Sequence, residues 1–300
     1  MSHADEVVAD AAKDDAVLYE VSASGVAVLT LNRPERLNTW GGDIATGFYS
    51  GLDRAERDAA VRVIVVTGRG KAFCAGAQLG SMGTVAESLK KTNQRDMTKL
   101  VGERQPYYLT TLCKPVIAAI NGSCVGIGLT QALMCDVRFA AAGSKFAASF
   151  ARRGLIAEYG ISWILPRLAG WGVALDLLLS GRTFLADEAA QLGLVKEVVA
   201  PERLMQRAMD YAEDIARNCS PASMAVIKRQ AYGDAMREVA DSNSQAESLL
   251  QESLQSRDVI EGVTSFLEKR APDFPGLSGP TSAINDSCGT GKDDHGELEL

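Results

Sequence analysis

The feature that most restricts the fold is a set of three short apolar runs, "VRVIVVTG" (61–68), "PVIAAI" (115–120) and "DVRFAAA" (136–142). A strand with one wet face alternates apolar and polar residues. "VRVIVVTG" is instead nearly continuous and β-branched, as suits a strand covered on both faces. Ahead of it, "AVLYEVSASGVAVLTLNRP" gives two β-rich runs broken at "SASG", which predicts a hairpin. Helical spacing marks residues 42–58, and "TVAESLKKTNQRDMTKLVGERQPYYLTTL" (84–112) also reads as helix. "NGSCVGIGLTQALMCD" (121–136) reads as a turn feeding a helix. Strands alternating with helices predict an α/β architecture. From about residue 200 the β signal stops, and "PERLMQRAMDYAEDIARNC", "PASMAVIKRQAYG" and residues 236–270 have helical periodicity. The expected organisation is a disordered leader (1–15), an α/β core (16–200), a helical C-terminal region (201–272) and a flexible tail (273–300). That tail is rich in Gly, Ser, Pro and acid, a composition that buries too little surface to order itself.

Several function classes fall away on composition. The formal charge is -7 and no dense Lys/Arg stripe interleaves with aromatics, which argues against a nucleic-acid partner. The six cysteines, Cys74, Cys113, Cys124, Cys135, Cys219 and Cys288, lie far apart with no CxxC pair. They suggest neither a zinc knuckle nor a compact disulfide framework and read as reduced thiols. The N-terminus "MSHADEVVADAAKDD" is acidic and alanine-rich, and no stretch approaches the roughly 18 apolar residues of a membrane span. The expectation is a cytoplasmic protein with no membrane association. The two histidines, His3 and His295, sit near the chain ends. A Ser-His-Asp triad, a Cys-His pair or a His-bearing metal site is therefore not expected, and no metal or separate cofactor is called for. Acid-base work falls to carboxylates, Tyr, Lys or backbone dipoles.

Two small-residue loops follow buried strands. "GKAFCAGAQLG" (70–80) carries no bulk at Gly76 or Ala77, so its amides can approach a ligand closely, although a plain glycine turn would look the same. "NGSCVGIG" leads into a helix, whose first N–H groups form a positive end. Two such loops could aim two donors at one oxygen. Farther on, "GLIAEYGISWILPRLAG" sets a single carboxylate, Glu158, among apolar and glycine residues. It is either a solvated charge at a helix start or an acid placed beside apolar walls for chemistry.

Taken together, "LTLNRPERLNTW", "GKAFCAGAQL", "NGSCVGIGLTQALMCDVRFAA" and "GLIAEYGISWILPRLAG", in this order and spacing, resemble the crotonase (enoyl-CoA hydratase/isomerase) superfamily. The later "LADEAAQLGLVKEVV" and "EGVTSFLEKRAPDF" add to the likeness, which covers roughly residues 16–272. The resemblance implies a crotonase-like spiral of ββα units and a helical region that packs in a homotrimer, often paired into hexamers. It implies an acyl-CoA substrate whose thioester oxygen meets two backbone N–H groups, here those of Ala77 and Ile127; Ile127 replaces the commoner Gly, which a main-chain donor tolerates. By the same resemblance Arg36, Leu37, Asn38, Ala75, Gly76, Gln78, Leu79 and Gly126 would line the coenzyme A path. Arg36 would meet phosphate, or be an ordinary surface arginine. Phe266 and Lys269 match positions that can reach a coenzyme A in a neighbouring subunit, or are a core Phe and a solvated Lys.

Hydratases of this family use two glutamates. At the matching positions this chain has Thr130 and Phe150, neither of which can act as a carboxylate base. "GLIAEYG" instead resembles the segment in which peroxisomal-type Δ3,Δ2-enoyl-CoA isomerases carry their single glutamate base, which makes Glu158 the catalytic candidate. The alternatives are hydration by one carboxylate, or a family member that binds acyl-CoA without catalysis. Asp136 reads as a structural cap, and Asp43 and Glu103 as acids with no motif around them.

Overall fold

The hairpin forms from β1 (Val17–Val21) and β2 (Val26–Leu31), paired antiparallel, with the Ser22 amide donating to the Val26 carbonyl at 2.9 Å. This computed structural model describes residues 15–77 and 104–277. After the hairpin come α1 (Gly42–Arg57), β3 (Val63–Gly68) and β4 (Ala72–Cys74). They are followed by α2 (Tyr108–Thr111), β5 (Val116–Ile120), β6 (Ser123–Val125), α3 (Ile127–Met134), β7 (Val137–Ala141) and β8 (Lys145–Ala147). Then come α4 (Ile161–Ala169), α5 (Trp171–Ser180), β9 (Thr183–Leu185), α6 (Ala186–Gln191) and β10 (Glu197–Val199). The chain continues through α7 (Leu204–Asn218), α8 (Pro221–Gly233), α9 (Val239–Leu254) and α10 (Arg257–Glu268). Of the helix expected over 84–112, only Tyr108–Thr111 is helical among the described residues; positions 84–103 lie outside them.

The strands form a six-stranded sheet in the order β1-β2-β3-β5-β7-β10 and a four-stranded sheet in the order β4-β6-β8-β9. Successive pairs β3/β4, β5/β6 and β7/β8 each place one strand in the large sheet and the next in the small one. β6 runs straight on into α3, and β8 is followed by α4. This is the spiral of ββα units. Corners between the sheets are short, and Asn121 clamps two of them together. Its Oδ1 accepts from the Gly68 amide at 3.1 Å, while its Nδ2 donates to the Gly70 carbonyl at 2.9 Å. The strands of the small sheet are three residues each, too short for a period-2 pattern to be read, and that sheet is absent from the sequence reading.

β3 explains why its run is continuously apolar. Ile64 and Val66 point into one core with Leu29, Ala118 and Ile120, whereas Val63 and Val65 point into a second with Ile117 and Phe139. The second core is closed by α7, which turns Leu204, Ala208, Ala212 and Ala216 toward the sheet. Three of those four are alanines, so the helix axis can lie close to the strands. Asp136 anchors the next helix: it accepts from the Val116 amide at 2.7 Å and the Tyr232 hydroxyl at 3.0 Å, and pairs with the Lys228 ammonium at 2.7 Å. Its role is structural, tying α8 to the start of β5. Among the described cysteines Cys74, Cys124, Cys135 and Cys219 are free.

Candidate active site

β4 and β6 are adjacent and parallel, with Ala72 opposite Ser123, so the segments that leave them, "CAGA" and "CVGI", emerge side by side. Gly126 turns the chain with φ 54 and ψ -122, a conformation that a side chain would resist, and α3 begins at the next residue. The loops touch: a Cβ built on Gly126 would lie 3.9 Å from the Gly76 Cα. Gly128 sits tighter still, since a Cβ there would come within 2.3 Å of the Cys74 carbonyl oxygen. Only glycine lets α3 lie this close to the end of β4.

Ile127 is the first residue of α3, so its amide has no acceptor within the helix and points out of the positive end. Ala77 is exposed and forms an isolated parallel bridge with Trp40, in which the Trp40 amide donates to the Gly76 carbonyl at 2.7 Å. That bond fixes the loop through its carbonyl and leaves the Ala77 amide out of the pairing with Trp40. The structure thus brings Ala75, Gly76, Ala77, Gly126 and Ile127 together. Gln78 and Leu79 lie outside the described residues, as does Glu103.

The "RPERLN" turn joins the same edge through the Ala75 amide, which donates to the Leu37 carbonyl at 3.1 Å. Leu37 and Asn38 both adopt left-handed conformations, with φ of 55 and 52. Asn38 is fully buried and its amide is spent on the backbone: Oδ1 accepts from the Arg33 amide, and Nδ2 donates to the Arg69 and Ala72 carbonyls at 3.0 and 2.8 Å. Asn38 shapes this turn rather than offering its side chain to a ligand. Arg36 and Arg33 both pair with Asp43. Burial opposes the charge on Asp43, but hydrogen bonds from the two arginines outweigh it and hold the carboxyl below its usual pKa.

Glu158 lies on the loop before α4, half-buried. The chain turns sharply there, with Tyr159 at φ 61 and Gly160 at φ 79, and the Ile161 amide donates to the Glu158 carbonyl at 3.2 Å. A left-handed tyrosine is uncommon and marks a local conformation held by its surroundings. α4 packs on α3, with the Gly160 position against Met134. Among the described residues no cation and no hydrogen-bond donor meets the Glu158 carboxylate. Burial alone raises its pKa above the ordinary glutamate value. Tyr159 is pushed up to about 12, first by burial and then by the neighbouring Glu158 charge.

Thr130 and Phe150 are buried: the Thr130 hydroxyl donates to the Gly126 carbonyl at 3.3 Å, and Phe150 belongs to the main core. Phe266 and Lys269 sit at the end of α10, Phe266 81% exposed, and no hydrogen bond or ion pair joins either to the two loops among the described residues. Phe266 is therefore not a core side chain. The sequence reading passed over a polar group on α1 and α3, in which the Gln131 amide donates to the Tyr49 hydroxyl at 3.1 Å. Its position four residues after Ile127, hence on the same helical face, was the available signal. Among the described residues no cluster of His, Cys, Asp or Glu could hold a metal ion, and no helix is long and apolar enough to cross a membrane.

Comparison with known proteins identifies the family to which this fold belongs. The family model described as Enoyl-CoA hydratase/isomerase matches residues 22–277. A 1,2-epoxyphenylacetyl-CoA isomerase of Escherichia coli K12 is 36% identical over 257 residues, 84% of this chain and 95% of that protein. A probable enoyl-CoA hydratase of Rhodobacter capsulatus is 36% identical over 87% of this chain and 98% of its own length. The crystal structure of an enoyl-CoA hydratase from Mycobacterium marinum is 67% identical and covers 75% of this chain and 100% of its own, with a TM-score of 0.63. A probable enoyl-CoA hydratase/isomerase from Mycobacterium abscessus is 34% identical over 87% of this chain and 99% of its own, with a TM-score of 0.78. With a spiral core, two touching glycine loops and a family match over nearly all the described residues, the chain belongs to the enoyl-CoA hydratase/isomerase family of acyl-CoA enzymes.

Proposed function

We propose that the enzyme shifts the double bond of a 3-enoyl-CoA to the 2-position, with Glu158 as the only base. The observation that carries this reading is a half-buried carboxylate without a charge partner among the described residues, in a chain that has Thr130 and Phe150 where hydration would need glutamates. Isomerisation needs one base. The carboxylate takes the proton from C2 of the 3-enoyl thioester and the electron pair moves into the carbonyl. The resulting dienolate oxygen is held by the Ala77 and Ile127 amides, and Glu158 returns the proton to C4. Each preorganised donor of this kind contributes about 3 kcal/mol to the transition state. Desolvation makes Glu158 a stronger base than a solvated glutamate, closer to the working pH. The turn at Leu37 and the strand end at Ala75 would border the coenzyme A, through main chain rather than through the Asn38 amide. Arg36 could reach a phosphate only in competition with Asp43.

The hydratase name carried by relatives such as that of Rhodobacter capsulatus favours a second reading, hydration of a 2-enoyl-CoA by the same single carboxylate. Separate incubation with 3-enoyl-CoA and 2-enoyl-CoA distinguishes them. Isomerisation of the first substrate, with little hydration of the second, is expected; rapid hydration without isomerisation rejects the proposal. Glu158→Gln should lower turnover by orders of magnitude while still binding the CoA ester, and a fully active variant removes Glu158 from the mechanism. A trimer or a dimer of trimers is part of the same proposal, supported by exposed apolar side chains along α10, including Ile260, Val263 and Leu267.

A further inference from the structure

The turn that carries Glu158 has a backbone that its sequence disfavours. Tyr159 at φ 61 and Gly160 at φ 79 are both left-handed, and the Ile161 amide donates back to the Glu158 carbonyl at 3.2 Å. Two successive positive φ values closed by such a bond make a type I′ turn, whose first central position normally takes Gly, Asn or Asp. Here a bulky tyrosine stands in it, in a conformation where Cβ crowds the neighbouring carbonyl oxygen.

Such a conformation persists only where the surroundings over-determine it. Gly160 is fixed from α4, since its carbonyl accepts from the Trp163 and Ile164 amides at 3.0 and 3.1 Å. It also abuts α3, where a Cβ built on it would lie 3.2 Å from the Met134 Cε. Tyr159 has a different hold. Its side chain packs, partly buried, against the main core, and its hydroxyl makes no hydrogen bond among the described residues. The ring is therefore the attachment. The peptide joining Glu158 to Tyr159 supplies the carbonyl that closes the turn, so the ring and the Glu158 backbone move together.

We propose that Tyr159 is a positioning residue for Glu158: its ring, seated on the core, holds the disfavoured turn and so keeps the carboxylate half-buried in one place. This rests on the reading above in taking Glu158 as the base. A small misplacement of a base costs rate rather than binding. Charged groups around the turn do not compete for this role. α3 carries no ionisable side chain, and the arginines of the flanking segments are committed to backbone carbonyls: Arg152 to Ser180, Arg153 to Ser149 and Arg167 to Trp163.

The test titrates Glu158 by NMR in protein carrying glutamate labelled at the carboxyl carbon, with the Glu158→Gln spectrum identifying the resonance. Steady-state kinetics on 3-enoyl-CoA run beside it. Tyr159→Phe keeps the ring and should match the wild type in both measurements. Tyr159→Asn and Tyr159→Gly accept left-handed conformations and lose the ring. In each, Glu158 should titrate closer to 4.5, the unperturbed glutamate value. kcat should fall about tenfold to a hundredfold while KM changes less than about threefold. Wild-type titration and kcat in both ring-less variants overturn the proposal. So does an equal loss in Tyr159→Phe, which would place the effect at the hydroxyl. Failure of both ring-less variants to fold also overturns it, because the ring would then serve stability alone. The titration needs no turnover, so the two readings fail separately. A ring-dependent titration without isomerisation of 3-enoyl-CoA rejects only the proposed reaction; Glu158-dependent isomerisation with a titration indifferent to the ring rejects only this inference.

Discussion

Glu158 is held in the fold with burial as the sole influence raising its pKa, and this fixes the sign of its pH dependence. The folded chain holds the proton more tightly than the unfolded chain. Stability from this group is therefore greatest below the ordinary carboxylate range and is lost as pH rises through the elevated folded value. Catalysis runs the other way, because the base must be ionised. The acid limb of kcat/KM should lie above pH 4.5, the unperturbed glutamate value, and should vanish in Glu158→Gln. A pH–rate profile with its limb at or below 4.5 would show that the kinetically important carboxylate is another one. Glu158 was legible as a candidate because "GLIAEYG" resembles the segment in which isomerases of this family carry their glutamate base; the apolar setting alone left it open. That no counter-ion meets it among the described residues was not legible, since a counter-ion can come from any element that packs nearby. Asn38 shows the same limit: its place in "RPERLN" was visible, but the commitment of its amide to Arg33, Arg69 and Ala72 depends on strands that only tertiary structure brings together.

At the level of elements, the oxyanion geometry depends on how closely α3 lies against β4. Gly128 sets that distance, because a Cβ would come within 2.3 Å of backbone at Cys74 that cannot move alone. Gly128→Ala should push α3 away from β4, cost about 1–3 kcal/mol of stability and reduce kcat more than it raises KM. Gly172→Ala, in α5 where nothing among the described residues lies within 4 Å of the new methyl group, should be neutral or stabilising by up to about 1 kcal/mol. Chemical denaturation and steady-state kinetics on the two variants check the contrast, and equal effects at the two positions would contradict it. The long apolar strands and the amphipathic helices were legible because each carries several turns of a period. The small sheet was not: a three-residue strand shows no period, and its partners lie tens of residues away.

For the whole molecule, α10 ends in a helix face that the single chain leaves uncovered, with Leu267 72% exposed. Neighbouring exposure of Ile260 and Val263 makes this a continuous apolar stripe at helical spacing. Light scattering of the wild type at micromolar concentration should give the mass of a trimer or hexamer. Val263→Asp with Leu267→Asp should shift it toward monomer, and a monomeric wild type would exclude the proposed assembly.

The sequence by itself determined the α/β class, the hairpin, the helical C-terminal third and the family. Period and motif spacing are local properties, and an ordered set of motifs survives without any knowledge of contacts. Tertiary structure decided that Gly76 and Gly126 touch, that Asp136 and Asn38 brace the backbone, that Phe266 is exposed, and that Gln131 and Trp40 are buried with unpaired polar atoms. Each of these depends on which distant segments share a neighbourhood, and hydrogen-bond partners and desolvation are properties of that neighbourhood rather than of the residue.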